Sequence, residues 1–215
     1  MLKNINLAIF DLDGTLVDSM GIWEKIDNDY LKIFGYKKPI NLKEDITHLN
    51  FYETALYFKK RFSISDSPDE ILETWLNMAF NEYKNNIKLK PGAKKFLYKL
   101  KDLGIKIALA TSNYQSLLEI CLKSNNVFEL FDSITTTEEV SRGKDFPDIY
   151  LLSCEKHKIH PKNCIVFEDI LCAVKSAKNA GMRVVAVKDS ITTFKEELLL
   201  IDESDYYLKS FNELI

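Results

Sequence analysis

Short apolar segments rich in isoleucine, valine and alanine alternate along the chain with longer segments of helical length. The apolar segments span residues 5–10, 106–111, 133–137, 164–168 and 183–187. Each is short and mostly apolar, as is typical of strands that are buried on both faces of a parallel sheet. The helix-length segments between the later ones span residues 91–103, 114–125, 146–158 and 171–180. This alternation predicts an α/β fold with a parallel sheet and helices on both of its faces.

One region departs from the alternation. From Ser19 to about Asn85 no strand pattern occurs, and apolar residues recur at helical spacing. Three amphipathic helices are predicted there, on these positions: Ile22, Trp23, Ile26, Tyr30, Ile33 and Phe34; Tyr52, Leu56 and Phe58; Ile71, Leu72, Trp75, Met78 and Phe80. Ser67 followed by Pro68 is typical of a helix N-cap and first turn. We therefore predict a helical bundle inserted after the first strand of the α/β domain.

Composition and charge exclude several classes of protein. The 215 residues are 46% hydrophobic and 28% charged, with a net charge of −3 and no long basic run, so we expect no nucleic-acid or membrane partner. The longest stretch without Asp, Glu, Lys or Arg, residues 107–118, falls short of the roughly 20 residues that span a bilayer. Four cysteines without a CxxC pair favour reduced thiols. We expect a cytoplasmic monomer.

Two acids follow the first predicted strand, at Asp11 and Asp13 in the segment DLDGT. Ligands of open α/β sheets bind beyond the carboxyl ends of the strands, so both side chains lie where a site is expected. The start of an EF-hand loop is a poor alternative, because Thr15, Leu16 and Ile22 occupy positions that need a ligand, a glycine and a glutamate. A simple turn is the other alternative.

Further polar groups follow the other strands or open the helices between them. They are Thr111, Ser112 and Asn113 after the second strand, Lys144 at the start of the helix before the fourth strand, and Glu168 and Asp169 after that strand. Taken singly, they are also compatible with helix capping, a solvated lysine and a solvated turn. Together they would converge on one crevice, where massed carboxylates need a divalent cation such as Mg²⁺. The lysine and the hydroxyl donors suit phosphate oxygens.

The segments FDLDGT, LATSN and FED, with Lys144 between the last two, resemble the motifs of the haloacid dehalogenase superfamily of phosphotransferases. The segments LKPGAKKFLYKLKDLGIKIALATSN and AKNAGMRVVAV are similar to those of relatives of phosphoglycolate phosphatase and β-phosphoglucomutase. The resemblance covers nearly the whole chain, although the inserted helices match in pattern more than in letters. It implies a Rossmann-like catalytic core at residues 1–17 and 89–215 and a helical cap at residues 18–88.

The resemblance also implies roles for the candidate residues. Asp11 would be the nucleophile that forms an aspartyl-phosphate, and Asp13 the general acid and base. Mg²⁺ would be held by Asp11, the backbone carbonyl of Asp13, and Asp169, with Glu168 as a ligand or a supporting group. The phosphoryl group would be bound by Thr111 and Lys144, with further contacts from Ser112 and Asn113. The cap would close over the site and select the leaving group.

These roles describe a Mg²⁺-dependent phosphatase of a small soluble phosphomonoester, with a small phosphorylated metabolite as its partner. A β-phosphoglucomutase-like sugar phosphomutase would use the same catalytic residues, and a non-catalytic binder of phosphorylated metabolites is a third reading. Three residues depart from the family pattern: Asp145, Ile170 and Cys172. The cap also lacks the glycine expected near residues 48–51. These departures bear on the substrate more than on the type of reaction.

Overall fold

The computed structural model describes residues 1–46, residue 49 and residues 51–215, with the backbone alone at residues 43 and 44. Its strands are β1 (Leu7–Phe10), β2 (Lys106–Thr111), β3 (Ser133–Thr136), β4 (Cys164–Glu168), β5 (Arg183–Val187) and β6 (Tyr206–Leu208). Its helices are α1 (Ile22–Ile33), α2 (Leu42–Ile46), α3 (Phe51–Phe62), α4 (Pro68–Asn85), α5 (Ala93–Asp102), α6 (Gln115–Ser124), α7 (Asp148–His157), α8 (Leu171–Asn179) and α9 (Phe194–Glu203).

The chain divides into two compact units. Residues 1–20 and 87–215 form the first, which we call the α/β unit, and residues 21–86 form the second, which we call the helical unit. The sequence analysis drew the corresponding boundaries two to three residues away, with a cap at residues 18–88. That the helical unit acts as a cap stays a prediction.

The α/β unit contains a fully parallel sheet with the strand order β3-β2-β1-β4-β5-β6. β1 lies between β2 and β4, and Phe10 at its end is opposite Leu109 and Phe167. The carboxyl ends of β1, β2 and β4 therefore lie side by side. The expected Rossmann-like parallel sheet is confirmed. Most of the residues that the sequence analysis selected lie at or just after the carboxyl ends of these three central strands.

Both faces of the sheet are buried, as the apolar strands predict. Leu7 and Ile9 belong to a core cluster with residues of α7, α8 and α9. On the alternate positions, the ring of Phe10 stacks on Phe167 at 4.4 Å and meets Phe96 of α5 edge-on. Successive side chains of a strand point to opposite faces, so β1 fixes helices on both sides of the sheet.

The helical unit is built around Trp75 of α4, which is only 2% exposed. Its ring meets Tyr30 of α1 at 5.7 Å and Phe58 of α3 at 4.9 Å, both edge-on. The predicted start of α4 is present: Ser67 caps the helix in a capping box with Glu70. A cavity of about 270 Å³ within this unit is lined by Trp23, Asp27, Ile46, Phe51, Thr54 and Trp75.

Some elements differ from the expected pattern. On α3 the buried positions are Thr54, Ala55, Phe58 and Phe62, whereas the predicted core residues Tyr52 and Leu56 are exposed. The third predicted position, Phe58, is buried as expected. The helices α2 and α9 and the edge strand β6 were not predicted. In the expected substrate-facing segment of the cap, His48 and Asn50 lie outside the described residues.

Within the described part of the chain, no helix combines the length and the apolar character that crossing a bilayer requires.

Candidate active site

The loop after β1 is a tight turn that is closed by its own backbone. The N–H groups of Leu16 and Val17 both donate to the carbonyl of Leu12, and the N–H of Gly14 donates to Val17. Gly14 has a φ of +79°, in the left-handed region that favours glycine. A Cβ atom at this position would collide with the carboxylate of Asp169. The turn therefore requires glycine both for its backbone conformation and for the close approach of an acid.

Three acids meet at the carboxyl ends of β1 and β4. Asp11, Glu168 and Asp169 each offer a carboxylate oxygen within 4.8 Å of the others, and all three residues are at most 7% exposed. The hydroxyl of Thr15 donates to Asp169 Oδ1 at 2.8 Å. Three of the four acids selected from the sequence are thus brought together in one buried cluster.

Lys144 supplies a cation to this cluster. Its ammonium group donates to Asp11 Oδ1 and, at 2.5 Å, to Glu168 Oε1, and the residue is 7% exposed. Burial alone would lower the pKa of Lys144, but attraction by Asp11 and Glu168 raises it above its usual value. The lysine is therefore charged at neutral pH, and it is a buried counter-ion rather than the solvated side chain that a lone lysine suggests.

The acids remain crowded despite Lys144. Burial, with repulsion by Asp11, raises the pKa of Glu168 to about 7, although Lys144 opposes the shift. Burial and repulsion by Asp11 and Glu168 raise the pKa of Asp169 to about 8. Both shifts reflect an excess of negative charge in a region of low dielectric constant.

The cluster fits a divalent metal ion. Glu168 Oε2 is buried and has no hydrogen-bond partner among the described residues, although a buried carboxylate oxygen normally has one. The potential ligands are all oxygen atoms, which hard cations such as Mg²⁺ and Ca²⁺ prefer. A dication here would balance the carboxylates that the single ammonium group leaves uncompensated.

Asp13 lies outside the cluster and is held by neutral donors. The hydroxyl of Ser19 donates to Asp13 Oδ1 at 2.6 Å, and the amide of Asn113 donates to Oδ2 at 2.7 Å. Asn113 Oδ1 in turn accepts the backbone N–H of Tyr114 at 2.7 Å. The structure therefore places Asn113 against Asp13, where it fixes the direction of the carboxylate.

The other predicted phosphate-binding residues lie at the end of β2. Thr111 is buried, and its hydroxyl oxygen accepts the backbone N–H of Asn113 at 3.1 Å, whereas Ser112 is exposed. Of the departures from the family pattern, Asp145 and Cys172 are exposed and Ile170 is 42% exposed.

Tyr150 and Ser19 contact acids of the candidate site and are not among the residues selected from the sequence. The phenol of Tyr150 in α7 donates to Glu168 Oε1 at 2.7 Å, and Ser19 binds Asp13 as described. Tyr150 is fully buried and had been part of an ordinary helical segment, and Ser19 had marked only the entry to the cap. A tyrosine or serine of this kind carries no sequence signal, because its role depends on a contact made across the fold.

The family model that describes the haloacid dehalogenase-like hydrolases matches residues 8–187 of the chain. The chain belongs to this family. The matched range begins within β1 and ends with β5, so it includes every candidate site residue and the inserted helices. The resemblance inferred from the motifs is thereby confirmed.

Proteins similar to this chain include named phosphatases. Hexitol phosphatase B of Escherichia coli is 25% identical over 187 residues, which are 86% of this chain and 84% of that protein. A protein of Drosophila melanogaster named "Probable pseudouridine-5'-phosphatase" is 28% identical over 88% of this chain and 84% of its own length. Family and relatives together support a hydrolase of the phosphatase type.

A solved structure extends the likeness to the fold. A "putative beta-phosphoglucomutase from Thermotoga maritima" has a TM-score of 0.84 and 26% sequence identity, and the alignment covers 98% of this chain and 96% of that one. Proteins named for hydrolysis and for mutase chemistry are thus both similar to this chain.

Proposed function

We propose that this protein is a Mg²⁺-dependent phosphatase that hydrolyses a small phosphomonoester through an aspartyl-phosphate intermediate. One observation carries the proposal: Asp11 lies in a buried cluster of three acids, with Lys144 on one of its oxygens. An acid at a strand end, adjacent to groups that neutralise charge, is suited to attack an anionic phosphorus centre.

In the first step, an Asp11 carboxylate oxygen attacks phosphorus while the bond from phosphorus to the leaving oxygen breaks. Asp13 donates a proton to that oxygen. In the second step, Asp13 takes a proton from water, whose oxygen attacks phosphorus and releases Asp11 and inorganic phosphate. The hydrogen bonds from Ser19 and Asn113 support this role, since they hold the Asp13 carboxylate in one orientation.

The residues proposed to hold Mg²⁺ are Asp11, Glu168, Asp169 and the backbone carbonyl of Asp13. When bound, the ion would offset the charge that builds up on the phosphoryl oxygens. The ammonium group of Lys144 donates to Asp11 Oδ1 and supplies a further positive charge at the nucleophile.

The proposed phosphate-binding residues are Thr111, Ser112, Asn113 and Lys144. The buried hydroxyl of Thr111 and the exposed hydroxyl of Ser112 both follow β2, close along the chain to Asn113. We assign Asn113 primarily to Asp13, because its amide already donates there.

The proposed substrate class is the small phosphorylated metabolite, and relatives named for hexitol and pseudouridine phosphates support it. A sugar phosphomutase is the second candidate, supported by the likeness to the Thermotoga maritima structure. The mutase differs from the phosphatase in one measurable respect, because it returns the phosphoryl group to a sugar instead of to water.

We further propose that the protein is monomeric and cytoplasmic.

The deciding experiment measures inorganic phosphate released from p-nitrophenyl phosphate and a panel of phosphomonoesters, with Mg²⁺ and with EDTA. We expect release that depends on Mg²⁺ and falls at least about 10³-fold in Asp11→Asn. The exposed acid Asp102, at the end of α5, offers a matched control, and Asp102→Asn is expected to keep near wild-type activity.

Activity that persists in EDTA would overturn the metal requirement. Conversion of a sugar phosphate to its isomer without phosphate release would establish the mutase instead. Binding of phosphate esters with neither reaction would indicate a non-catalytic binder.

A further inference from the structure

Lys90 connects three segments of the α/β unit. Its backbone N–H donates to Leu16 O at 2.8 Å, and its ammonium group donates to Gly14 O, both in the turn after β1. The same ammonium group donates to Lys188 O at 2.7 Å and to Asp189 Oδ1 at 3.1 Å, in the loop after β5. One lysine therefore ties the turn that carries Asp13 to a loop on the other side of β4.

The contact is a buried one. The side chain of Lys90 is 12% exposed and that of Asp189 is 1% exposed. The second oxygen of Asp189 accepts the backbone N–H of Ile191 at 3.2 Å, which fixes the carboxylate. Burying an ion pair costs desolvation energy, so stability alone is a poor reason for one here. The contact of Lys90 with the carbonyl of Gly14 offers a better reason.

The carbonyl that Lys90 holds belongs to the peptide group between Gly14 and Thr15. On one side of that peptide lies Gly14, whose left-handed backbone allows the close approach of Asp169. On the other side lies Thr15, whose hydroxyl binds Asp169 Oδ1. A shift of this peptide would move Gly14, the residue that follows Asp13, and Thr15, the partner of Asp169, together.

We propose that Lys90 is a positioning residue for the hydrolytic reaction: its ammonium group fixes the Gly14–Thr15 peptide and so sets the geometry of Asp13 and Asp169. Asp189 has a supporting role, as it holds the ammonium group in place. This inference rests on the proposed function, because it assigns Lys90 to the same site. A displacement of about 1 Å at such a site costs roughly 10²-fold in rate.

Three variants separate positioning from stability. Lys90→Met removes the ammonium group and leaves Asp189 buried without its cation, so both thermal stability and kcat should fall. Asp189→Asn keeps one oxygen for Lys90 but sets its NH2 against the backbone N–H of Ile191, so the melting temperature should fall while kcat stays within about threefold of wild type. The double variant Lys90→Met/Asp189→Asn removes the stranded charge, so its melting temperature should recover while kcat stays about 10- to 100-fold low. Lys94→Met is the matched control, since the ammonium group of Lys94 donates to Asn125 O instead of to the turn after β1.

The readouts are kcat and KM for p-nitrophenyl phosphate, the melting temperature, and Mg²⁺ affinity by titration calorimetry without substrate. We expect Lys90→Met and the double variant to bind Mg²⁺ about tenfold more weakly, with kcat reduced more than KM is raised. Recovery of kcat together with the melting temperature in the double variant would overturn the proposal. So would an equal loss of kcat in Asp189→Asn.

The calorimetry also separates this inference from the proposed function. If wild type releases no phosphate from any ester, the proposed function fails. The positioning role still stands if Lys90→Met, and not Lys94→Met, weakens Mg²⁺ binding.

Discussion

The two units of this protein bury different chemistry. At the carboxyl edge of its sheet, the α/β unit buries Asp11, Lys144, Glu168 and Asp169, which are costly to remove from water. The described core of the helical unit is instead aromatic, centred on Trp75 with Tyr30 and Phe58. The comparison indicates that buried charge is concentrated where a reaction is proposed, whereas the described core of the inserted helices is held together by aromatic packing.

The sharpest test removes a lysine from each unit. Lys144→Met leaves buried carboxylates without their counter-ion, so we expect a loss of about 3–5 kcal/mol in the free energy of unfolding and near-complete loss of phosphatase activity. Lys25→Met removes an exposed partner of Glu82 on the helical unit and should cost less than about 1 kcal/mol. Urea denaturation and phosphate release measure both variants. Similar stability losses would show that the buried acids depend on Lys144 no more than Glu82 depends on the exposed Lys25.

The second test addresses the aromatic core. Trp75→Ala should lower the free energy of unfolding of the helical unit by about 3–5 kcal/mol, because a buried ring with several aromatic neighbours is lost. Phe80→Ala on the same helix is the control, since Phe80 is 37% exposed, and it should cost less than half as much. Both tryptophans lie in this unit, so the fluorescence of Trp23 follows its unfolding. Equal costs would contradict a core centred on Trp75.

A third test compares two glycines with the same backbone angle. Gly14 and Gly181 both have a φ of +79°, but a Cβ at Gly14 meets Asp169 whereas nothing lies within 4 Å at Gly181. Each alanine variant should lose about 1 kcal/mol of stability from backbone strain. Only Gly14→Ala should also weaken Mg²⁺ binding, by at least about tenfold in calorimetry, since a metal ligand must move. Equal Mg²⁺ affinities would remove Asp169 from the proposed metal site.

A fourth test concerns a carboxyl in the helical unit. Burial raises the pKa of Asp27 to about 7, against a lowering by Lys38 and a further rise from Glu24. The folded state keeps its proton at pH values where the unfolded state has lost it, so this group's contribution to stability is complete below pH 4 and is lost as pH rises through 7.

Between pH 5 and pH 8, wild type should therefore lose about 1–2 kcal/mol more than Asp27→Asn, a range reduced to allow for partial exposure. Urea titrations followed by tryptophan fluorescence at the two pH values give the difference. Parallel pH profiles of the two proteins would show that Asp27 titrates normally.

Much of the α/β unit can be predicted from the sequence, because the pattern of a buried strand and the polar residues of a site occur together at its strand ends. An apolar run followed by acids, as at Asp11 and Glu168, locates a strand and a site together. The contacts of Lys90, Ser19 and Tyr150 could not be predicted, because each depends on which loops meet in the folded sheet. Lys90 reaches a carbonyl 76 residues away in the chain.

The helical unit was predicted less well at the level of residues. Tyr52 and Leu56 on α3 are predicted core residues by type, yet Thr54 and Ala55 are buried in their place. Thr54 lines the same cavity as Trp75, and the spacing of apolar residues alone does not show which face of the helix turns towards it. The strand β6 was missed for a related reason, since an edge strand of three residues has almost no pattern of its own.

The distance along the chain between Thr15 and Asp169, 154 residues, has a consequence for synthesis on the ribosome. The helical unit is complete at residue 86, whereas β4 ends only at residue 168. At typical rates of translation the interval amounts to several seconds, on the order of 4–16 s. During that time the nascent protein carries Asp11 and the turn after it without the strand that completes their surroundings. The inserted helices can therefore fold early and locally, and the acidic cluster assembles only near the end of translation.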